Sequence, residues 1–230
     1  MIKINNEYTL MQKGAYKNGT SNHEEHNSNP DYWDILLGDL KQPEEWINKS
    51  ALDFACGKGR NVINIHKLSE WGVVDGVDIS QANVDYCKNE YLNYKSNWYC
   101  NNGVDLQDIT SGKYDFITST IALQHIPVYD IRRNLIKEIF RILKPGGLFS
   151  FQMGFGNNLV DVLGRLKASY YENILDAAGT NSIYDVRIQN ESEVVEDLSD
   201  IGFINITVQV RDSYSDYGHP QWIYVKGYKP

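Results

Sequence analysis

The run Ser50-Ala51-Leu52-Asp53-Phe54-Ala55-Cys56-Gly57-Lys58-Gly59 constrains this chain more than any other. Its first part is short and apolar, as a strand buried on both faces must be, and it ends in a turn with two side-chain-free positions. Val62, Ile63, Ile65 and Leu68 then recur at helical spacing, with Asn61, Asn64 and Lys67 left for the outer face. A strand that turns at once into a helix is the opening of a crossover unit, which implies a parallel neighbour strand.

The rest of the chain repeats that rhythm. Residues 73–78 read as a second strand, Ser80 is placed to cap a helix over 81–93, and residues 98–101 and 114–118 read as third and fourth strands. Ile131, Leu135, Ile136, Ile139, Ile142 and Leu143 mark a helix that Lys144-Pro145-Gly146-Gly147 should terminate before a fifth strand over 148–153. The expected fold class is therefore α/β, a doubly wound and mostly parallel sheet covered on both faces. One domain over 1–230 is expected. Residues 1–31 read as a loop or mobile arm, since 17–30 contain no Leu, Ile, Val or Phe, and a helix over 32–40 precedes the core at 48–154. Residues 155–188 break the rhythm and suggest a helical insertion (159–178) over the active face, a lid. A helix over 191–201 and strands over 203–210 and 222–226 complete the chain.

Composition narrows the function. The chain has 22 Lys and Arg against 30 Asp and Glu, a formal charge of −8, which repels nucleic-acid backbones and anionic membranes. No nucleic acid and no membrane is the expectation. Three cysteines, Cys56, Cys87 and Cys100, give neither a disulfide framework nor a metal motif. With an N-terminus that turns polar at once, they point to a cytoplasmic protein; either a monomer or a homodimer is expected, the sequence not deciding between them.

The glycine turn lets backbone approach a ligand, and the N–H groups of the helix start favour a polar or anionic edge. A dinucleotide fingerprint beginning at Gly57 and Gly59 needs a third glycine where Val62 stands, so NAD is disfavoured. Asp78 falls at the C-terminal end of the next strand, where a carboxylate suits a ribose diol; with Asp53 and the turn it can converge on one molecule beyond the strand ends.

These segments resemble the class I S-adenosylmethionine-dependent methyltransferases over most of residues 48–153. Asp53 through Gly59 matches the family's first motif, with Ala55 where a glycine is common. Asn102-Gly103-Val104-Asp105-Leu106 is similar to the adenine-edge segment, with Asn102 where an aspartate is usual. Tyr114-Asp115-Phe116-Ile117-Thr118-Ser119, Leu123-Gln124-His125-Ile126-Pro127 and Arg141-Ile142-Leu143-Lys144-Pro145-Gly146-Gly147 resemble the later motifs in order. The resemblance implies a seven-stranded sheet with its last strand antiparallel and S-adenosylmethionine as methyl donor, leaving S-adenosylhomocysteine. It assigns Asp53, Ala55, Gly57 and Gly59 to the methionine part of the donor and Asp78 to the ribose. Ile79 takes one face of the adenine, Asn102, Gly103 and Val104 its edge, and Ser119 completes the cofactor set.

Methyl transfer is an in-line displacement needing the nucleophile about 3–3.5 Å from the methyl carbon and exclusion of water. His125 is the residue best placed to remove a proton from a hydroxyl, against the reading of a structural imidazole bonded to backbone. Tyr16 can fold back onto the donor. Gln124, Tyr129, Gln152 and Met153 fall near the same rim, and Tyr214, Tyr217, His219 and Trp222 can line an acceptor pocket. His23 and His26 lack a third ligand, so no metal is expected. The expected activity is transfer of a methyl group to an oxygen or nitrogen of a small-molecule acceptor; the alternatives are a protein methyltransferase or a non-catalytic subunit that binds the donor or its product.

Overall fold

A computed structural model describes residues 2–20, 35–36, 43–156, 185–212 and 219–230. Its centre is a seven-stranded sheet. Strand β1 (Ser50–Phe54) pairs in parallel with β2 (Val73–Asp78) and with β4 (Tyr114–Thr120). Outside β2 lies β3 (Trp98–Cys100), and outside β4 lies β5 (Leu143–Phe155), both again parallel. The last strand, β7 (Gln221–Tyr228), runs antiparallel between β5 and β6 (Ile204–Asp212), giving the order β3-β2-β1-β4-β5-β7-β6. The chain reverses its direction of travel across the sheet between β1 and β4, the place where such sheets open a crevice at their C-terminal edge.

Alternation along the strands divides the core in two. Leu52, Phe54, Ile117, Phe149, Phe151 and Ile223 point to one face. There they meet α4 (Tyr129–Ile142) and α5 (Glu191–Ile201) through Ile131, Leu135, Ile139, Val194 and Leu198. Ala51, Val74, Phe116 and Leu148 point to the other face, under Val62 and Ile65 of α2 (Arg60–His66) and Val84 and Cys87 of α3 (Gln81–Glu90), with Trp46 and Trp71 sealing the bottom. Ser80 caps α3 as expected, its hydroxyl accepting from the Asn83 N–H.

The structure corrects the sequence reading at several points. Residues 2–15 are not a loose arm but helix α1 (Ile2–Ala15), and Tyr8 and Gln12 of its inner side are each only 2% exposed. The inward-facing stripe of buried Tyr8 and Gln12 and half-buried Met11 and Ala15 has helical spacing, but half of it is polar or small, so hydrophobicity alone does not reveal it. Lys144-Pro145-Gly146-Gly147 ends α4 yet does not delay β5, which starts at Leu143 and absorbs those residues where its register against β4 shifts, between Tyr114 and Phe116. Asn61, assigned to the outer face of its helix, is buried. The helix expected over 159–178 and its lid lie outside the described residues, as does the helix over 32–40 except for Ile35 and Leu36, which are helical.

Below the functional edge, one buried carboxylate knits three strands. Asp75 of β2, fully buried, accepts from the Asn97 N–H (2.7 Å) ahead of β3, from the Tyr114 hydroxyl (2.6 Å) that opens β4, and from Lys113 Nζ (2.7 Å). Asn97 Nδ2 donates to it as well (3.0 Å), so removing it strands four donors, one of them a cation that is itself partly solvated. Asp75→Ala is expected to destabilise the fold by about 3 kcal/mol, read from urea unfolding; a loss under about 1 kcal/mol would show that the network contributes no more than a surface ion pair.

Candidate active site

A cavity of about 230 Å³ opens at the C-terminal edge of the sheet, at the reversal between β1 and β4. One bank is the turn after β1. Gly59 there has φ +81°, and a Cβ on it would lie 2.8 Å from Tyr91 and 2.9 Å from Trp98, so neither the conformation nor the space admits a side chain. Ala55 holds φ 58° and, across the cavity, Ile121 after β4 holds φ 53°. Both residues are therefore strained, and both line the cavity, where strained backbone tends to gather.

Asp78 anchors that turn. Its Oδ2 accepts from the Gly57 N–H (2.8 Å), and its Oδ1 from the Ser80 N–H (2.8 Å) and Asn83 Nδ2 (3.1 Å). Burial pushes its carboxyl above the usual aspartate range, and the three hydrogen bonds pull the other way. A carboxylate offers about four acceptor sites, so Oδ2 keeps room for one hydroxyl.

Asp53 is in the opposite condition. It is 1% exposed, Oδ1 receives a long bond from Asn61 Nδ2 (3.3 Å), and Oδ2 has no partner. Asn61 also donates to the Thr120 hydroxyl (2.7 Å), bracing β1 against β4. Burial pushes the Asp53 carboxyl up to about 7; the Asn61 bond and the Arg60 charge oppose this, and Asp78 reinforces it.

Helix α1 forms the roof and is tied to both banks. Gln12 Nε2 donates to the His125 carbonyl (2.8 Å), the Ser80 hydroxyl donates to the Tyr16 carbonyl (2.7 Å), and the Thr20 N–H donates to Asn83 Oδ1 (2.9 Å). Tyr16 thus does fold over the cavity. Burial, with Asp185 and Asp78 nearby, pushes its phenol up to about 12, so at neutral pH it is a donor and not a base. His125 sits in a single 3₁₀ turn (Leu123–His125) on the far wall, its Nδ1 2.6 Å from Asp185 Oδ1.

The structure thus gathers Tyr16, Ala55, Gly57, Asp78, Ile79, Gly103 and His125 around one space. Gly103 packs against Ile79 so closely that a Cβ would lie 2.7 Å from Ile79 Cδ1. Asp53 and Gly59 stand directly behind the wall. Asn102, Val104 and Ser119 do not line the cavity. The Asn102 amide is spent in its own turn, accepting from the Val104 and Asp105 N–H groups and donating to Asp105, and Asn101 takes the place at the wall. Ser119 points into the opposite core, and its neighbour Thr120 reaches the cavity instead. Of the rim residues, Met153 is core, Tyr129 donates to Asp197 of α5, Gln124 is buried, and Gln152 is buried with neither amide atom partnered. Gln12, Thr20, Asn61 and Asp185 were missed; only Asn61, next to the glycine turn, lay where a local signal could have been sought. His23, His26, Tyr214 and Tyr217 lie outside the described residues, among which no cluster of potential metal ligands occurs. Among the described residues no helix is long and apolar enough to cross a membrane.

Residues 51–147, which carry the glycine turn and both walls, match a family model described as a methyltransferase domain. Over those residues the chain is similar to methyltransferase domains. A mitochondrial 2-methoxy-6-polyprenyl-1,4-benzoquinol methylase of Caenorhabditis elegans is 24% identical over 195 residues, which are 75% of this chain and 64% of that protein; the chain thus spans less than two thirds of that curated relative's length. A methyltransferase structure from Methanosarcina mazei superposes with a TM-score of 0.64 at 21% identity, over 84% of this chain and 96% of that one. Phosphoethanolamine N-methyltransferase 2 of Haemonchus contortus, solved with phosphomonomethylethanolamine and S-adenosylhomocysteine, superposes with 0.64 at 16% identity, over 96% of this chain and 57% of that one. At these identities the superpositions establish the fold, which agrees with the one expected from the sequence.

The unpartnered Asp53 makes a pH prediction. Its carboxyl is raised in the folded chain from 3.8 to about 7, so between those values the folded state holds a proton that the unfolded state has lost. Its contribution to stability is complete below pH 4 and declines as pH rises through 7. Asp53→Asn, which cannot ionise, is expected to be more stable than the parent at pH 8 by about 1–3 kcal/mol and to lose that advantage at pH 4. Thermal unfolding at the two pH values checks this; a variant less stable than the parent at pH 8 refutes it.

Proposed function

We propose that the chain transfers a methyl group from S-adenosylmethionine to an oxygen or nitrogen of a small-molecule acceptor. The observation that carries this reading is the roofed cavity that has the Asp78-anchored glycine turn on one bank and His125 on the other. The cavity suits the donor chemically. Asp53 Oδ2 is a buried carboxyl oxygen without a partner, fit for an ammonium group; Asp78 Oδ2 has room for one hydroxyl; and Ile79 over Gly103 offers an apolar face for a base. Asp53, the turn from Ala55 to Gly59, Asp78 and Ile79 would hold the donor, with Asn101 and Gly103 at its edge. When bound, that group supplies a methyl carbon on a positively charged sulfur.

The chain's own residues do the rest. The roof of Gln12, Tyr16 and Thr20 keeps water out, which sharpens both alignment and electrostatics. His125 takes the acceptor's proton. Tyr16 keeps its own and can hydrogen-bond the acceptor as a donor. A small acceptor is favoured because α1 covers the cavity and the net charge of −8 disfavours a nucleic-acid chain. The named acceptors among the relatives, a benzoquinol and a phosphorylated amine, are both small molecules, although of different chemistry.

Calorimetry with S-adenosylhomocysteine is expected to show one site per chain. Asp78→Ala should weaken it about 10–100-fold, the worth of a charge-assisted hydrogen bond plus a loosened turn. Incubation with methyl-labelled donor and fractionated cell extract should place label in the small-molecule fraction. No heat with S-adenosylhomocysteine sinks the reading of the cavity, and label only in protein sinks the acceptor class.

A further inference from the structure

Residues 185–188 enter the site from a distant part of the chain and are fastened by backbone. The Val186 N–H donates to the Gln124 carbonyl (2.9 Å), the Ile188 N–H to the Gly154 carbonyl (3.1 Å), and Ile188 bridges Phe155 at the end of β5. In this extended segment Val186 and Ile188 are wholly buried in the core, so Asp185 and Arg187 face the other way. There they join His125 and His219 in a line. Arg187 Nε lies 2.7 Å from His219 Nδ1, His219 Nε2 lies 3.3 Å from Asp185 Oδ2, and Asp185 Oδ1 lies 2.6 Å from His125 Nδ1.

The chemistry of the partners fixes every proton in the line. Guanidinium Nε–H can only donate, so Nδ1 of His219 is an acceptor and its proton resides on Nε2, which donates to Asp185. His219 is thereby held neutral. Asp185 stays ionised: its carboxyl lies well below the usual range, because the hydrogen bonds from His125 and His219 outweigh its burial. Facing an ionised Oδ1, Nδ1 of His125 carries the proton, and Nε2, which has no partner among the described residues, keeps its lone pair on a ring that lines the cavity. The sequence has made room for the arrangement at Gly154, since a Cβ there would lie 2.2 Å from His219 Nδ1, and Trp222 closes the ring's other side with centroids 4.9 Å apart.

We infer that Asp185 is the positioning residue of the reaction: backed by His219 and Arg187, it locks His125 as the Nδ1–H tautomer with Nε2 toward the acceptor, which must then be a group that surrenders a proton, a hydroxyl or an ammonium. This deepens the reading of His125 as proton acceptor and rests on it. The acceptor's proton passes to Nε2 while its freed electron pair bonds the methyl carbon, and the pair of the broken carbon–sulfur bond stays on sulfur. The imidazolium formed is stabilised by the Asp185 carboxylate, as in other base–orienter pairs. The other ionisable groups that line the cavity are Tyr8 of α1, Tyr16 just after it, Cys56, Lys58 and Arg60 in and after the glycine turn, and Asp78.

The test is NMR of the full chain with ¹⁵N-labelled imidazoles, which reports each ring nitrogen separately and so distinguishes His125 from Asp53 titrating nearby. Above pH 8, His125 is expected as Nδ1–H with bare Nε2 and His219 as the reverse. Asp185→Asn should release the ring, so that Nδ1–H and Nε2–H forms of His125 appear together above pH 8, and Asp185→Glu should restore the Nδ1–H form. Should the aspartate variants fail to fold, the tautomers of the unaltered protein decide alone. An Nε2–H tautomer at His125, or a tautomer ratio unmoved by Asp185→Asn, overturns the inference. Calorimetry with S-adenosylhomocysteine on the same samples separates the two readings: absence of heat with the expected tautomers removes the methyl-donor site and leaves the relay standing, whereas heat with the wrong tautomer removes only the relay.

Discussion

The grip of the Asp78 carboxylate on three protein N–H donors is the constraint on which the site depends. Its partners come from the turn after β1 (Gly57), from the cap of α3 (Ser80) and from inside α3 (Asn83), so one side chain sets the distance between the first two crossover units at their functional end. The roof hangs on the same elements, because Ser80 and Asn83 also hold Tyr16 and Thr20. Without that carboxylate the glycine turn would face α3 with an orphaned N–H, and the last turn of α1 would lose the bank it is tied to. A buried anion is expensive to desolvate; here the cost is offset locally by hydrogen bonds that also build the cavity.

Around that fixed point the site holds several unfavourable features that the rest of the fold must tolerate. Asp53 has an unpartnered buried oxygen, and Ala55 and Ile121 sit in left-handed conformations, each costing on the order of 1–3 kcal/mol. Ala55 and Ile121 border the same 230 Å³ space, and Asp53 precedes Phe54 of its lining. The compensation lies below, in two apolar layers and in the Asp75 cluster that joins β2, β3 and β4. Stability concentrated at the base of the sheet and strain at its C-terminal edge is the pattern expected when an edge is kept for a ligand.

What the sequence made legible was what neighbouring residues decide. Each strand of the sheet, the cap at Ser80, the apolar stripe of α4 and the glycine turn follow from patterns a dozen residues long, and the mostly parallel pairing of the strands follows from their alternation with helices. Helix α1 escaped because its inward-facing stripe mixes Tyr8, Met11, Gln12 and Ala15, and Gln12 is buried only because the His125 carbonyl, 113 positions away, receives its amide. Asn61 was misplaced for a related reason: periodicity sends amides outward, and nothing nearby announces that Asp53 and Thr120 need one. Asn102 shows the reverse error, a residue at the right position whose side chain closes its own turn. Asp185 and His219 lie 60 and 94 positions from His125, and no local rule could have joined them.

The two carboxylates that matter most for reactivity, Asp53 and Asp185, illustrate how environment and not residue type decides a role. Asp185 receives a bond on each oxygen and remains an anion throughout the working range, so it can stabilise a positive charge formed at His125 and never competes for the proton. Asp53 receives one long bond and titrates near 7, so at neutral pH its charge depends on what lies beside it. A cation arriving next to Asp53 draws it into the ionised state, and the proton released is the measure of that coupling. On the proposed function, the empty lone pairs of Asp53 would discriminate a cationic ligand from a neutral one, and the bonded pairs of Asp185 would hold an imidazole still.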